Sequence, residues 1–234
     1  MGFSMYKLAR RKILSVLPKT AGAFAGVSVA CAGMLPLRTA EALSTPVYQN
    51  VDFDIVARGQ KVGGFSGRFQ GDPSGQFIAA TRNYITSDVY SVDAYNVETW
   101  NQGILTRLTG EGVNNGSAFR FELSGIGQGL SGIDQNRNRL AVSQNALPTT
   151  YWNKDFRRAR RVINTTDGTD FGVRATELGL GTIRTAYGEI QVEKVRIRGA
   201  GLGLYNVVLS YDANGDWTGL EFSLFGFDVL YQRK

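Results

Sequence analysis

Histidine is absent from the 234 residues, and the only cysteine, Cys31, lies near the start of the chain. Beyond it there is no disulfide, no thiol nucleophile, no imidazole acid or base and no Cys/His metal site. Zinc, haem and iron–sulfur centres are excluded for the same reason, since each needs soft or imidazole ligands. A Ser-His-Asp triad cannot be assembled, and no Gly-x-Ser-x-Gly elbow occurs. No cofactor is expected. Proline is scarce at 5, which excludes a proline-rich stalk, whereas glycine is plentiful at 29 and suits strands joined by tight turns. Charged residues make up 20% and hydrophobic ones 43%, a globular composition large enough to bury its own core.

A field of one sign is also missing from most of the chain. The net charge of +6 is concentrated at the start, where Lys7, Arg10, Arg11, Lys12, Lys19 and Arg38 face the single acid Glu41. Of 26 basic and 20 acidic residues, that leaves 20 against 19 after residue 42, so nothing argues for nucleic acid. Met1–Lys12 reads as a positive n-region and Thr20–Leu37 as a weakly apolar, Ala/Gly-rich stretch. Ala40-Glu41-Ala42 then supplies a small-x-small cleavage site. The run Ala9-Arg10-Arg11-Lys12-Ile13-Leu14 resembles the twin-arginine export pattern. Left uncleaved, Lys19 to Arg38 would be a short and poorly apolar membrane anchor, and Cys31 a lipid acceptor without the usual leading leucine. The expectation is a cleavable signal over 1–42, a single β domain over 43–234, and a periplasmic location.

Period-2 alternation governs the rest. Val51, Phe53 and Ile55 alternate with Asp52 and Asp54, Gly63-Gly64 leads into Phe65–Phe69, and Asp72-Pro73-Ser74-Gly75 reads as a turn. A β-rich run covers Phe77–Trp100. Ile104–Leu108 and Ala118–Leu123 flank Asn114-Asn115-Gly116, a hairpin signal because Asn-Gly tolerates positive φ. Further strands are expected at Arg139–Ser143, Phe171–Glu177, Thr182–Tyr187, Glu189–Arg198, Leu204–Tyr211 and Trp217–Phe225. So many short strands predict an all-β antiparallel barrel, half-barrel or clamshell sheet. One segment departs from the pattern. After Pro148, Thr149 or Thr150 caps a short amphipathic helix reaching about Ile163, with Trp152, Phe156, Ala159 and Ile163 on one face.

Three ordered blocks carry a resemblance. They are Glu98-Thr99-Trp100-Asn101-Gln102-Gly103-Ile104-Leu105, Pro148-Thr149-Thr150-Tyr151-Trp152-Asn153, and Tyr211-Asp212-Ala213-Asn214-Gly215-Asp216-Trp217. Together they resemble an uncharacterised family of exported proteobacterial β-rich proteins, a domain of unknown function, over essentially the whole mature chain. The resemblance implies export and fold more than activity.

The basic segment gives the leading candidate site. Lys154, Arg157, Arg158, Arg160 and Arg161 would grip an anionic head group through paired guanidinium hydrogen bonds, while Trp152 and Phe156 meet an apolar tail. The alternative is a solvated face on a helix docked against the sheet. Trp100, Tyr151, Trp152, Phe156, Arg157, Arg160 and Arg161 are the expected ligand-binding residues. Phe77, Tyr84, Tyr90, Tyr95, Trp100, Phe119 and Phe121 line a cavity or pack a core. Asp212–Asp216 and Asp134–Asn138 imitate calcium loops but read as a hairpin turn and a polar loop. The glycine clusters at 125–129 and 199–203 read as β-turns. Glu98 is expected on a strand surface, with a glycosidase-like carboxylate pair as the other reading. The leading expectation is a non-enzymatic periplasmic protein holding an amphipathic or lipid-like ligand. The alternatives are an accessory subunit docking on a membrane or envelope partner, and a carboxylate-dependent hydrolase.

Overall fold

Val51, Phe53 and Ile55 are buried while the residues between them are half-exposed, and the same alternation recurs from strand to strand. The computed structural model describes residues 50–71, 75–125, 129–185, 187–199, 205–224 and 226–234. The expected leader, its cleavage site and Cys31 lie outside the described residues, as do Asp72-Pro73-Ser74 and parts of both glycine clusters.

Eight strands run in sequence as β1 (Val51–Ala57), β2 (Gln60–Gly71), β3 (Gln76–Thr86), β4 (Ser91–Asn101), β5 (Ile104–Asn114), β6 (Ser117–Ser124), β7 (Leu130–Asp134) and β8 (Arg139–Val142). A crossing segment follows, holding β9 (Leu147–Pro148), a 3-10 turn (Lys154–Arg158) and β10 (Arg161–Ile163). The meander resumes with β11 (Asp170–Thr185), β12 (Gly188–Gly199), β13 (Asn206–Tyr211), β14 (Trp217–Leu224) and β15 (Phe227–Arg233). All pair into one 15-stranded sheet in which β1 lies between β2 and β15, so the first strand is joined to the last. Every ladder is antiparallel except that of β9 with β10. The two free edges, β8 and β9, are therefore consecutive in the chain. Ser143 N–H donates to Asp170 Oδ2 (3.0 Å) across this gap. Gly168, at φ 74°, lets the loop after β10 press against Phe121 and Leu140, where a Cβ would come within 2.9 Å of both. The result is an antiparallel half-barrel.

Residues 146–169 form a strap along the inner wall. Ala146, Leu147, Trp152, Phe156, Ala159, Val162 and Ile163 are all buried. Trp152 sits 5.4–5.5 Å from Phe69, Phe77 and Trp100, and Tyr151 sits 5.5 Å from Phe156. The expected helix from Thr149 or Thr150 to Ile163 is corrected to a single turn, capped by Asn153 Oδ1 accepting from Asp155 N–H (2.8 Å). Lys154, Arg158 and Arg160 stay exposed while Trp152, Phe156, Ala159, Val162 and Ile163 are buried, a pattern that one turn followed by a short strand satisfies as well as a helix. Two further expectations are adjusted. The run Phe77–Trp100 is two strands, turned by Ser87 N–H donating to Tyr90 C=O (2.9 Å). Phe171–Glu177 and Thr182–Thr185 belong to one strand, β11, bulged between Glu177 and Gly179, and Tyr187 lies in a turn. β7, β9, β10 and β15 were not foreseen as strands. Among the described residues no helix is long and apolar enough to cross a membrane.

Candidate functional site

The cross-strand registers place Ile85 opposite Val92, Val92 opposite Asn114, and Val207 opposite Phe222. These rows lie toward one end of the half-barrel and face each other across the interior. Between them, and against the strap, is a cavity of about 480 Å³, within the usual range for small-molecule sites. Its lining combines apolar Ile85, Val92, Phe171, Val207, Leu220 and Phe222 with asparagine, threonine, tyrosine and Ser223. Tyr205 O–H donates to Tyr151 Oη (3.2 Å), and Tyr231 O–H donates to Asn83 Oδ1 (3.0 Å). Burial raises the phenols of Tyr151, Tyr205 and Tyr231 above their ordinary range, so all three stay protonated and neutral. Asn114 Oδ1 is buried there without a protein partner.

Behind the strap lies Glu98, fully buried on β4. Trp100 Nε1–H donates to its Oε2 (2.9 Å), while Thr150 O–H (2.6 Å) and Trp152 Nε1–H (3.0 Å) donate to Oε1. Burial raises its pKa to about 7, against the opposing effect of those three donors. The protonated form also fits. A proton on Oε1 is accepted by Thr150 Oγ1, whose own hydrogen then turns toward Pro148 C=O, 3.4 Å away. Glu98 is therefore corrected from a strand-surface residue to the buried junction between β4 and the strap. It lines none of the described cavities. The strap turns here and its side chains divide: Thr150 and Trp152 bond to Glu98, while Thr149 and Tyr151 line the cavity. Glu98 thereby sets which strap residues form the cavity wall.

The seven expected ligand-binding residues are dispersed. Tyr151 alone among them lines the 480 Å³ cavity. Trp100 is in the core and borders a separate hollow with Gln76 and Arg107. Trp152 and Phe156 are core residues. Arg157 pairs with Glu193, and its guanidinium lies 4.9 Å over the Tyr211 ring. Arg161 makes a bidentate pair with Asp170 (2.7 and 2.9 Å), and Arg160 is exposed. The predicted basic grip is thus not assembled around the cavity. With the helix reduced to one turn, the arginines leave a common face and find local acids. Of the strand aromatics, Tyr90 lines the cavity, Phe77 and Phe121 are core, and Tyr84 and Tyr95 are exposed. Asn83, Asn114, Asn164 and Tyr205 were missed. Period-2 alternation from Ile85 places Asn83 indoors, but no local signal marks a strap asparagine as cavity-facing. Asp212 Oδ1 accepts from the N–H groups of Asn214 and Asp216, and Asp134 Oδ1 from those of Asn136 and Asn138. The first is the hairpin turn read from the sequence, and the second, read as a polar loop, is the turn between β7 and β8.

The three sequence blocks meet in this region. Glu98 and Trp100 come from the first, Thr150 and Trp152 from the second, and Trp217 of the third lies 6.2 Å from Tyr151. The sequence model of a family described as a domain of unknown function (DUF6134) matches residues 53–234. Among solved structures, a β-barrel-like protein of a domain of unknown function (DUF1849) from Brucella abortus is similar in fold. The TM-score is 0.56 at 8% identity, covering 79% of this chain and 94% of that one. No curated protein matches the chain.

Proposed function

The chain belongs to the DUF6134 family, and since that family brings no activity with it, we propose from the site itself that the protein is a non-enzymatic carrier of an amphipathic small molecule. The observation that carries this reading is the cavity of about 480 Å³, lined by aliphatic and aromatic residues together with uncharged hydrogen-bonding groups. Concave sites that are mostly apolar, with a few placed polar groups, hold small molecules by shape and orient them by hydrogen bonds. The basic, Ala/Gly-rich leader supports action outside the cytoplasm, in a periplasm, after signal removal. The one buried carboxyl group at the strap, Glu98, is engaged by three donors and faces away from the cavity, so the reading assigns it to structure rather than chemistry.

Uptake of Nile red, an uncharged dye that brightens in apolar surroundings, tests the reading. The chain should take up one dye per molecule. Thr166→Trp, which fills the cavity from the strap side, should reduce the signal at least tenfold without changing the far-ultraviolet circular dichroism. Equal uptake by the filled variant would place the dye elsewhere and remove the cavity as the site.

A further inference from the structure

We infer that the cavity accepts an uncharged amphipathic molecule bearing a hydroxyl or amide group and discriminates against carboxylate and phosphate head groups. This rests on the binding reading above and narrows it to a ligand class. Among the described residues lining the cavity there is no Asp, Glu, Lys or Arg. None of the five cations expected to grip an anion, Lys154, Arg157, Arg158, Arg160 and Arg161, lines the cavity, and Arg157 is paired with Glu193 and Arg161 with Asp170. An anionic head group would leave water and gain no counter-charge, a loss far greater than that of desolvating a hydroxyl.

The hydrogen-bond inventory says what the polar lining still offers. Asn83 Oδ1 is occupied by Tyr231 O–H. Asn164 is used by its own loop, its Oδ1 accepting from Thr166 and its Nδ2 donating to Asp167. Besides the Tyr90 hydroxyl and the Asn206 amide, which also line the cavity, two groups stand out as left over. Asn114 Oδ1 is a buried acceptor with no protein donor. Tyr151 Oη accepts from Tyr205, which leaves its own O–H without an acceptor among the described residues. One spare acceptor and one spare donor suit a group that both donates and accepts, and a hydroxyl or a secondary amide does both. Val92, Val207 and Phe222 then receive the apolar part.

Isothermal titration of the full chain at pH 8 with 1-decanoylglycerol and with decanoate, each below its micellar threshold, separates the possibilities. The neutral amphiphile should bind at least tenfold more tightly than the carboxylate. Asn114→Leu and Tyr151→Phe should each weaken the neutral ligand roughly three- to tenfold, the range expected for one lost hydrogen bond. Near-ultraviolet circular dichroism should show both variants folded. Equal or tighter binding of decanoate overturns the inference while the carrier reading stands. Uptake of Nile red without binding of decanoylglycerol also overturns it. If all three compounds fail to bind, the carrier reading falls with it.

Discussion

Glu98 has no water with which to share its charge, and its three partners are all donors. Burial holds its carboxyl group protonated up to about pH 7, whereas in the unfolded chain it ionises near the ordinary value of 4.5. Below the unfolded value both states are protonated and the full contribution to stability is present. As pH rises toward the folded value, the unfolded chain releases a proton that the folded one keeps, so stability falls. The difference is on the order of 3 kcal/mol at about 1.4 kcal/mol per pKa unit. Urea unfolding across pH 4.5 to 8, the window set by those two values, should therefore show a decline that Glu98→Gln abolishes. At pH 5 the variant should be less stable by about 1–3 kcal/mol, because its amide N–H faces Trp100 Nε1–H and leaves a buried donor unpaired. A wild-type profile flat across this window would refute the buried-acid assignment. Asp170 shifts the other way. Arg161, with the Ser143 amide, holds its pKa below the usual range, and its contribution is lost as pH falls. Period-2 counting through Val92, Ala94, Asn96, Glu98 and Trp100 already put Glu98 on the buried face. The surface expectation followed from its charge alone, because the donors that make burial tolerable lie 52 and 54 residues away in sequence.

At the scale of elements, hairpins were legible and the strap was not. Asn115 and Gly116 adopt φ 49° and 77°, as the Asn-Gly turn demands, and the flanking strands follow from alternation. A turn of that kind is decided by residues next to each other. The strap is decided by what surrounds it. Pro148 and the β-branched pair Val162-Ile163 favour extended chain, and Tyr151 at φ 65° interrupts any helix, once Trp152 and Phe156 are buried. The strap is therefore held by burial and by Glu98 more than by its own backbone bonds. Phe156→Ala, at a fully buried position, should lower stability by about 3–5 kcal/mol in urea unfolding, the usual cost of emptying a phenylalanine site. A loss under 1 kcal/mol would mean that the strap is not packed as described.

For the whole molecule, the meander was readable because neighbouring strands are neighbours in sequence. The pairing of β1 with β15 was not, since it joins residues more than 170 positions apart, such as Ile55 and Tyr231. That closure brings Tyr231 to the inner wall beside Phe53 and Trp217 and lets its hydroxyl reach Asn83 on β3. The cavity is thus a product of closure and strap together, which is why strand-by-strand reading found Tyr90 and Tyr151 but not Phe171, Tyr205, Phe222, Tyr231 or the asparagines. A carrier requires this concave, uncharged space to be occupied in the cell. Native mass spectrometry of the full chain purified from its host tests that most directly. The expected spectrum shows a one-to-one adduct of a neutral amphipathic molecule, absent from Thr166→Trp. Protein that emerges bare from its host and stays bare with both neutral and charged amphiphiles would contradict the account.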